Sequence, residues 1–136
     1  MKIAIIILNY NSSADCRKCI GFLKQQQGVE AEIVVIDNCS REEERKAVES
    51  VCKENGCTFI ANNENRGYNA GNNVGLRYAS EKGYEYALIA NPDMEFLQND
   101  YLLKLAEKMQ SDEEIVVCGS DIVGVDGIHQ SPMSKD

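Results

Sequence analysis

The strongest constraint on the fold is an unbroken apolar run near the start of the chain, from Ile3 to Leu8. Four of its residues are β-branched isoleucines, and a run without polar alternation is typical of a strand covered on both faces. It is far shorter than the roughly 20 residues that cross a bilayer. It also lies too close to Met1 for a secretory signal and has no small-residue cleavage site. We therefore interpret the run as the first strand of a buried sheet.

Similar short runs recur along the chain and alternate with segments of helical periodicity. The later predicted strands are 33–36, 58–61, 86–90 and 115–118. The predicted helices begin at Ser12 with Asp15, at Ser40 with Glu43, near Gly71, and at Asn99 or Asp100; Gly28 is expected to end the first, and the third to run to about Lys82. This order predicts an α/β fold, a Rossmann-like and mostly parallel sheet with flanking helices.

Length and charge narrow the possible functions. The chain has 136 residues, which suits one domain. Its net charge of −8 disfavours nucleic acid as a partner, because that binding depends on neutralising phosphates. Six cysteines without a secretory signal predict reduced thiols in the cytoplasm. The last residues, 129–136, lack a hydrophobic pattern and are expected to fray, His129 among them.

Polar residues follow the predicted strands where their carboxyl ends meet, which is where ligands bind in open α/β sheets. Asp37 directly follows a buried strand, so its carboxylate could accept hydrogen bonds from a ligand's imide N–H or ribose hydroxyl. The alternative is that Asp37 caps the next turn. Tyr10 could stack on a planar base, or it could be a partly buried loop residue.

The segment 65–73 is the most distinctive, with two glycines that allow close backbone approach. A helix starting near Gly71 would direct N–H groups at an anion, and Arg66 would add positive charge. The alternative is an Asn-rich surface loop. In the segment 91–93, a single Asp93 carboxylate with substrate phosphates could bind Mg²⁺ or Mn²⁺, whereas Asn-Pro-Asp is also good turn chemistry.

The sequence gives little support for a zinc site, for the dinucleotide-binding or P-loop classes, or for a receiver domain. Cys16 and Cys19 share the apolar face of a helix, and without a second such pair they are better interpreted as core thiols than as a zinc site. The glycine patterns of dinucleotide-binding and P-loop proteins do not occur, and no acidic cluster typical of a receiver domain follows the first strand.

In order and spacing, the segments 7–11, 35–40, 65–75 and 88–93 resemble family 2 glycosyltransferases with the GT-A fold, and in particular a rhamnosyltransferase-like subgroup. The likeness extends from about Lys2 to Gly127. It implies that residues 1–128 form the nucleotide-sugar-binding part of such an enzyme, with 129–136 a flexible tail. It implies a nucleotide-diphospho-sugar donor, such as dTDP-rhamnose or a UDP-sugar, and inverting transfer to a polysaccharide or glycolipid acceptor.

The resemblance also implies residue roles. Tyr10 looks like the residue beside the nucleobase, Asp37 like the residue that bonds the base and ribose, and Asp93 like the metal ligand of an Asp-x-Asp motif whose first position is Asn91. The cofactor would be Mg²⁺ or Mn²⁺. The complete expected nucleotide-binding set is Asn9, Tyr10, Asn11, Asp37, Asn38, Arg66, Gly67, Gly71, Asn72 and Asn91.

One part of the family pattern is missing. Family members continue into an acceptor-binding half that carries an acidic general base, and neither Asp121 nor Asp126 is assigned that role. The chain therefore looks like the donor half of a longer enzyme, and the alternative is a non-catalytic nucleotide-binding module. Apolar surface meant for the absent half would favour homo-oligomers. A cytoplasmic location is expected, with any attachment to the inner face of the membrane supplied from outside this segment.

Overall fold

The computed structural model describes residues 2–129. Its elements in chain order are β1 (Lys2–Asn9), α1 (Ser13–Leu23), β2 (Glu30–Asp37), α2 (Glu42–Asn55), β3 (Thr58–Ala61), α3 (Tyr68–Glu81), β4 (Tyr86–Ala90) and α4 (Tyr101–Gln110). The four strands form one sheet in the order β3-β2-β1-β4, and every pairing is parallel. The predicted α/β class is confirmed.

The central strand β1 divides the core in two. Alternate residues such as Ile5 and Ile7 pack with α1, α2 and α4 on one face, while Ile6 packs with α3 on the other. Helix α3 lies close to β1: a Cβ at Gly75 would overlap the side chain of Ile6, and one at Gly71 would lie 2.5 Å from Leu8 Cδ1. Burial on both faces explains why β1 is an unbroken apolar run.

Several predicted boundaries are wrong. Helix α1 ends at Leu23, before Gly28, and α3 begins at Tyr68, three residues before Gly71. Ser12 is the N-cap residue of α1, as predicted, but it makes no side-chain capping bond, because its hydroxyl donates to the Tyr10 carbonyl. Arg41 is the N-cap of α2, because Ser40 turns toward the end of β2 instead.

The predicted fifth strand at 115–118 is also wrong. The segment pairs with no strand within residues 2–129, and the side chains of Val116 and Val117 are 82% and 84% exposed. A β-branched run becomes a strand only where a neighbouring strand supplies its hydrogen bonds. His129 is less free than expected, because it forms a bridge with Val123 and its ring contacts Asp121. The rest of the expected tail, 130–136, lies outside the described residues.

None of the helices within residues 2–129 combines the length and the hydropathy that a membrane span requires.

Candidate functional site

The ends of β1 and β2 are joined by a buried polar cluster. Asn9 and Asp37 are register partners and are fully buried. Asn9 Nδ2 donates to Asp37 Oδ1 at 3.1 Å, the Ser40 hydroxyl donates to the same oxygen at 2.7 Å, and Ser40 N donates to Asp37 Oδ2 at 3.0 Å. The structure thus gives Asp37 the turn-capping role that was its alternative. Direct contact between Asp37 and a nucleotide remains a prediction.

The turn after β1 is held against the same cluster. Asn11 has a left-handed φ of 49°, its N–H donates to Ser40 Oγ at 2.9 Å, and its Oδ1 accepts from Arg41 N at 2.9 Å. Tyr10 is 52% exposed beside this turn. Asn11 therefore serves the fold, while the Tyr10 ring is available at the sheet edge for stacking.

Asn38 connects the end of β2 to the loop before α3. Its Nδ2 donates to Asn65 Oδ1 at 3.0 Å and to the Gly67 carbonyl at 3.4 Å, and its Oδ1 accepts from Asn62 Nδ2 at 3.3 Å. Asn38 is almost completely buried. Its side-chain polar atoms are hydrogen-bonded to neighbouring residues, so Asn38 holds this loop in place, and its contact with a nucleotide stays a prediction.

A polar cleft of about 410 Å³ opens beside that loop. Asn38, Arg66 and Gly71 contribute to its wall, together with Asn73 and Arg77 of α3. Arg66 is exposed and its Nε donates to Glu64 Oε1 at 2.6 Å. Arg66 and Arg77 therefore line the same cleft, which also holds the Glu64 carboxylate. Arg77 was not among the predicted residues, and Asn73, one helical turn before it on the same face, was not among them either.

The glycines of the segment 65–73 have separate roles. Gly67 is the N-cap of α3, where its φ of 98° favours a residue without a side chain. Gly71 lies inside the helix, and its N–H already donates to the Gly67 carbonyl at 3.1 Å. The prediction that the helix presents its N-terminus at Gly71 is therefore wrong, and this glycine serves close packing on Leu8. The N–H groups that have no intrahelical acceptor are those of the preceding turn, which starts at Tyr68.

Two buried asparagines carry side-chain polar atoms that have no hydrogen-bond partner within residues 2–129. Both polar atoms of Asn72 and the Oδ1 of Asn9 make no hydrogen bond in the described part of the chain. Buried polar atoms are almost always satisfied in native proteins, by water where no protein group reaches them. Asn72 does not line the cleft, and its contact with a nucleotide stays a prediction.

The end of β4 carries the candidate metal residues. The Tyr68 hydroxyl donates to Asn91 Oδ1 at 2.8 Å. The carbonyl of Asn91 accepts from Met94 N at 3.1 Å and from the Cys19 thiol at 3.8 Å. Asp93 is exposed, and within residues 2–129 its carboxylate makes no hydrogen bond or ion pair. The two predicted residues, Asn91 and Asp93, both lie at the end of β4. The Asn91 side chain is hydrogen-bonded to Tyr68, whereas the Asp93 carboxylate is exposed.

The end of β4 fits a divalent cation that is bound by one protein carboxylate together with the phosphates of a ligand. Within the described 2–129 span, no three His, Cys, Asp or Glu side chains lie together as a complete metal site. Mg²⁺ and Mn²⁺ need no such cage when one carboxylate and the phosphates of a ligand complete the coordination. The exposed Asp93 carboxylate meets that requirement.

The thiols below this edge are structural. Cys16 and Cys19 are fully buried in the core between α1 and the sheet, as predicted for core thiols. Burial raises the pKa of Cys19 to about 12, and the nearby Asp93 carboxylate adds to that increase. Burial likewise raises the pKa of Cys16 far above its usual value. Both thiols therefore stay protonated at neutral pH.

Comparisons with known proteins support the family resemblance. The family model "Glycosyl transferase family 2" matches residues 4–135. The chain is 37% identical over 99 residues to the low-salt glycan biosynthesis hexosyltransferase Agl10 of Haloferax volcanii, covering 72% of this chain and 30% of that protein.

Solved structures agree on the fold. The mannosyltransferase PcManGT from Pyrobaculum calidifontis, in complex with GDP-Man and Mn²⁺, matches with a TM-score of 0.71 at 21% identity, over 79% of this chain and 32% of that one. TarS from S. aureus (residues 1–349) in complex with UDP-GlcNAc matches with a TM-score of 0.68 at 24% identity, over 82% and 32%. The chain thus spans about a third of the length of these relatives and matches their α/β architecture. On the extent of the family match and the identity to the hexosyltransferase, this chain belongs to glycosyl transferase family 2.

Proposed function

We propose that this domain binds a nucleoside-diphosphate sugar at the carboxyl edge of its sheet and is the donor-binding part of a glycosyltransferase. The observation that carries the proposal is the convergence of polar side chains from the ends of β1, β2 and β4 on one edge of a parallel sheet. That edge is where ligands bind in open α/β folds. The relatives with bound GDP-Man and UDP-GlcNAc support the same ligand class.

The residues divide into those that shape the site and those that meet the ligand. Asn9, Asp37 and Asn38 are buried and hydrogen-bonded to their neighbours, so they hold the floor and the loop in place. The exposed Tyr10 ring is suited to stacking on the nucleobase. The Arg66 side chain can offset diphosphate charge from the wall of the cleft.

Asp93 is the residue we assign to the metal. A Mg²⁺ or Mn²⁺ ion held there with the diphosphate would act as a Lewis acid for the departing nucleoside diphosphate. Mn²⁺ in the PcManGT complex supports the choice of a divalent cation. The residues of this chain contribute the carboxylate that holds the ion and the surfaces that orient the nucleotide.

The donor is proposed at the level of a nucleoside-diphosphate hexose. The reported relatives are a hexosyltransferase and proteins solved with GDP-Man or UDP-GlcNAc, and none of these three is named as a rhamnosyltransferase. dTDP-rhamnose therefore stays one member of the donor panel beside UDP- and GDP-sugars. A polysaccharide or glycolipid acceptor and transfer with inversion belong to the same proposal. So does a cytoplasmic location, supported by six free thiols.

A binding-only role is the second candidate. Asp126 accepts from Ile128 N at 3.0 Å and Asp121 contacts His129, so both of these acids are engaged in their own turns. An assay for transfer to acceptor, run beside the binding assay, separates the two functions: nucleotide binding without transfer by this chain would favour the binding module.

Calorimetric titration with UDP, GDP and dTDP, with and without Mn²⁺, tests the proposal. We expect Mn²⁺-dependent binding of at least one of them, and loss of that dependence in Asp93→Ala. Glu95→Ala is the matched control, because it removes an exposed acid two residues away whose nearest cation, Lys18, is 4.0 Å distant. Absence of binding by all three nucleotides would refute the proposed function.

A further inference from the structure

Tyr68 of α3 reaches across the sheet edge to the end of β4. Its ring is half exposed, yet its hydroxyl donates to Asn91 Oδ1 at 2.8 Å. In this contact the hydroxyl donates to the amide oxygen, so the Asn91 NH₂ points away from Tyr68. Tyr68 lies within the segment 65–75 that carries the family resemblance, but it is not among the predicted site residues.

Asn91 is held from both faces of the sheet. On the α1 side, the Cys19 thiol donates to its carbonyl at 3.8 Å, and Met94 N donates to the same oxygen at 3.1 Å. On the α3 side, Tyr68 holds the side-chain oxygen. Both oxygens of Asn91 are thus engaged, and within residues 2–129 no hydrogen bond uses its Nδ2. The NH₂, which is a donor only, is thus the polar group of the Asn91 side chain that has no partner in this part of the chain.

The two polar residues of this strand end therefore offer opposite chemistry. Asp93 presents an exposed carboxylate, which accepts hydrogen bonds and binds cations. Asn91 presents an NH₂, which binds no cation but can donate to an oxygen. Asn91, at the first position of the Asp-x-Asp motif, therefore differs chemically from an aspartate there, because its NH₂ donates hydrogen bonds and a carboxylate accepts them.

We propose that Tyr68 is a positioning residue that orients the Asn91 amide, so that Asn91 donates to an oxygen of the bound nucleoside diphosphate and Asp93 alone supplies the side-chain metal ligand. This inference rests on the proposed function and assigns roles within the same site. It makes Tyr68 and Asn91 one unit that acts on nucleotide affinity, separate from the metal.

The test is a double-mutant cycle with Tyr68→Phe, Asn91→Ala and the double variant, measured by calorimetry with the nucleotide that the wild type binds. Tyr68→Phe is expected to weaken binding about three- to tenfold, the range of one net hydrogen bond. In the Asn91→Ala background the same change is expected to have no further effect, because the orienting contact is already gone.

Metal dependence separates this role from metal ligation. The ratio of nucleotide affinity with Mn²⁺ to that without is expected to stay at the wild-type value in Tyr68→Phe and Asn91→Ala, and to fall in Asp93→Ala. Tyr78→Phe is the matched control for stability, since it removes another α3 hydroxyl, one that donates to Glu32 Oε1 at 3.1 Å away from the site. It is expected to leave nucleotide affinity unchanged.

Three outcomes would overturn the inference while leaving the proposed function intact: wild-type affinity in Tyr68→Phe, additive effects in the double variant, or a Mn²⁺ ratio that falls in Asn91→Ala as it does in Asp93→Ala. Absence of nucleotide binding by the wild type would instead refute the proposed function and this inference with it.

Discussion

Two aspartates at the same edge of the sheet have opposite environments. Asp37 is fully buried and accepts three hydrogen bonds from Asn9 and Ser40, whereas Asp93 is exposed. The cost of replacing each carboxylate should follow from this difference, because a buried donor that loses its acceptor remains unsatisfied while an exposed one turns to water.

Replacement of the two carboxylates by amides tests this contrast. Asp37→Asn is expected to lower the free energy of unfolding by about 1–3 kcal/mol, because the amide NH₂ cannot accept from its neighbours. Asp93→Asn should stay within about 0.5 kcal/mol of the wild type, as exposed substitutions usually do. Urea unfolding measures both values. Equal stabilities of the two variants would contradict the hydrogen-bonding account.

A second residue-scale prediction concerns pH. Glu44 accepts from Ser13 N at 3.0 Å at the start of α1, and its hydrogen bonds with Ser13 lower its pKa below the usual value of 4.5. The carboxylate therefore contributes stability above its unfolded-state pKa, and this contribution is lost as the pH falls through the lower folded-state pKa.

Thermal unfolding of Glu44→Ala at pH 7 and at pH 3 checks the sign. The variant should melt below the wild type at pH 7, and the difference should shrink at pH 3. Glu43→Ala is the control, since it removes an exposed acid from the same helical turn as Glu44. The Glu43 Oε1 atom lies 3.9 Å from Arg41 Nε. A difference of the same size at both pH values would show that the Glu44 charge plays no part.

At the scale of elements, the distance between α3 and β1 depends on small residues. Gly71 and Gly75 allow the helix backbone to lie against Leu8 and Ile6. This approach sets the position of Tyr68 at the head of the same helix, so helix packing and site geometry are linked. In contrast, Gly21 in α1 has no atom within 4 Å of the place its Cβ would occupy.

Alanine at two helical glycines should therefore have opposite effects. Gly75→Ala is expected to cost about 1–3 kcal/mol, because the added methyl overlaps Ile6 and the core must shift. Gly21→Ala is expected to stabilise the protein by roughly 0.5–1 kcal/mol, since alanine loses less backbone entropy in a helix. Chemical unfolding of both variants is the measurement, and destabilisation by Gly21→Ala as large as that by Gly75→Ala would contradict the packing argument.

At the scale of the molecule, the β4 edge of the sheet and the segment after α4 both expose apolar side chains. Within residues 2–129, β4 pairs with β1 alone, and its Ile89 is 41% exposed. Val116, Val117 and Val125 add exposed apolar side chains in the segment after α4. An open strand edge with apolar side chains is a template for association with another chain.

We therefore expect this chain to self-associate at high protein concentration. Ile89→Lys should shift the population toward monomer, because a charge on an edge strand opposes strand pairing. Leu97→Lys is the control, since it places the same charge at an exposed apolar residue outside any strand. Light scattering over a concentration series measures both. A wild-type monomer at the highest concentration would contradict the expectation.

Local pattern was sufficient for much of the fold. The strands at 58–61 and 86–90 were predicted with their observed bounds. The α/β class followed from short apolar runs and helical periodicity, which are patterns among residues close in sequence. Core burial of Cys16 and Cys19 followed from helical spacing in the same way. The strand ends that carry the candidate site were predictable because parallel strands bring their carboxyl ends to one edge.

Contacts distant in sequence decided the rest. The run at 115–118 has the composition of a strand, but a segment becomes a strand only if another strand lies beside it to pair with, and its own residues do not determine that. Ser40 is a residue type that often caps helices, but here it bonds Asp37 at the end of β2, and Gly71 lies inside α3, packed against Leu8. The hydrogen bond from Tyr68 to Asn91 joins residues 23 positions apart. The sequence by itself thus determined which strand ends form the edge. Only the tertiary structure decided which polar atoms at that edge are hydrogen-bonded within the fold and which remain free to bind, because hydrogen-bond partners are residues that are close in space and often distant in sequence.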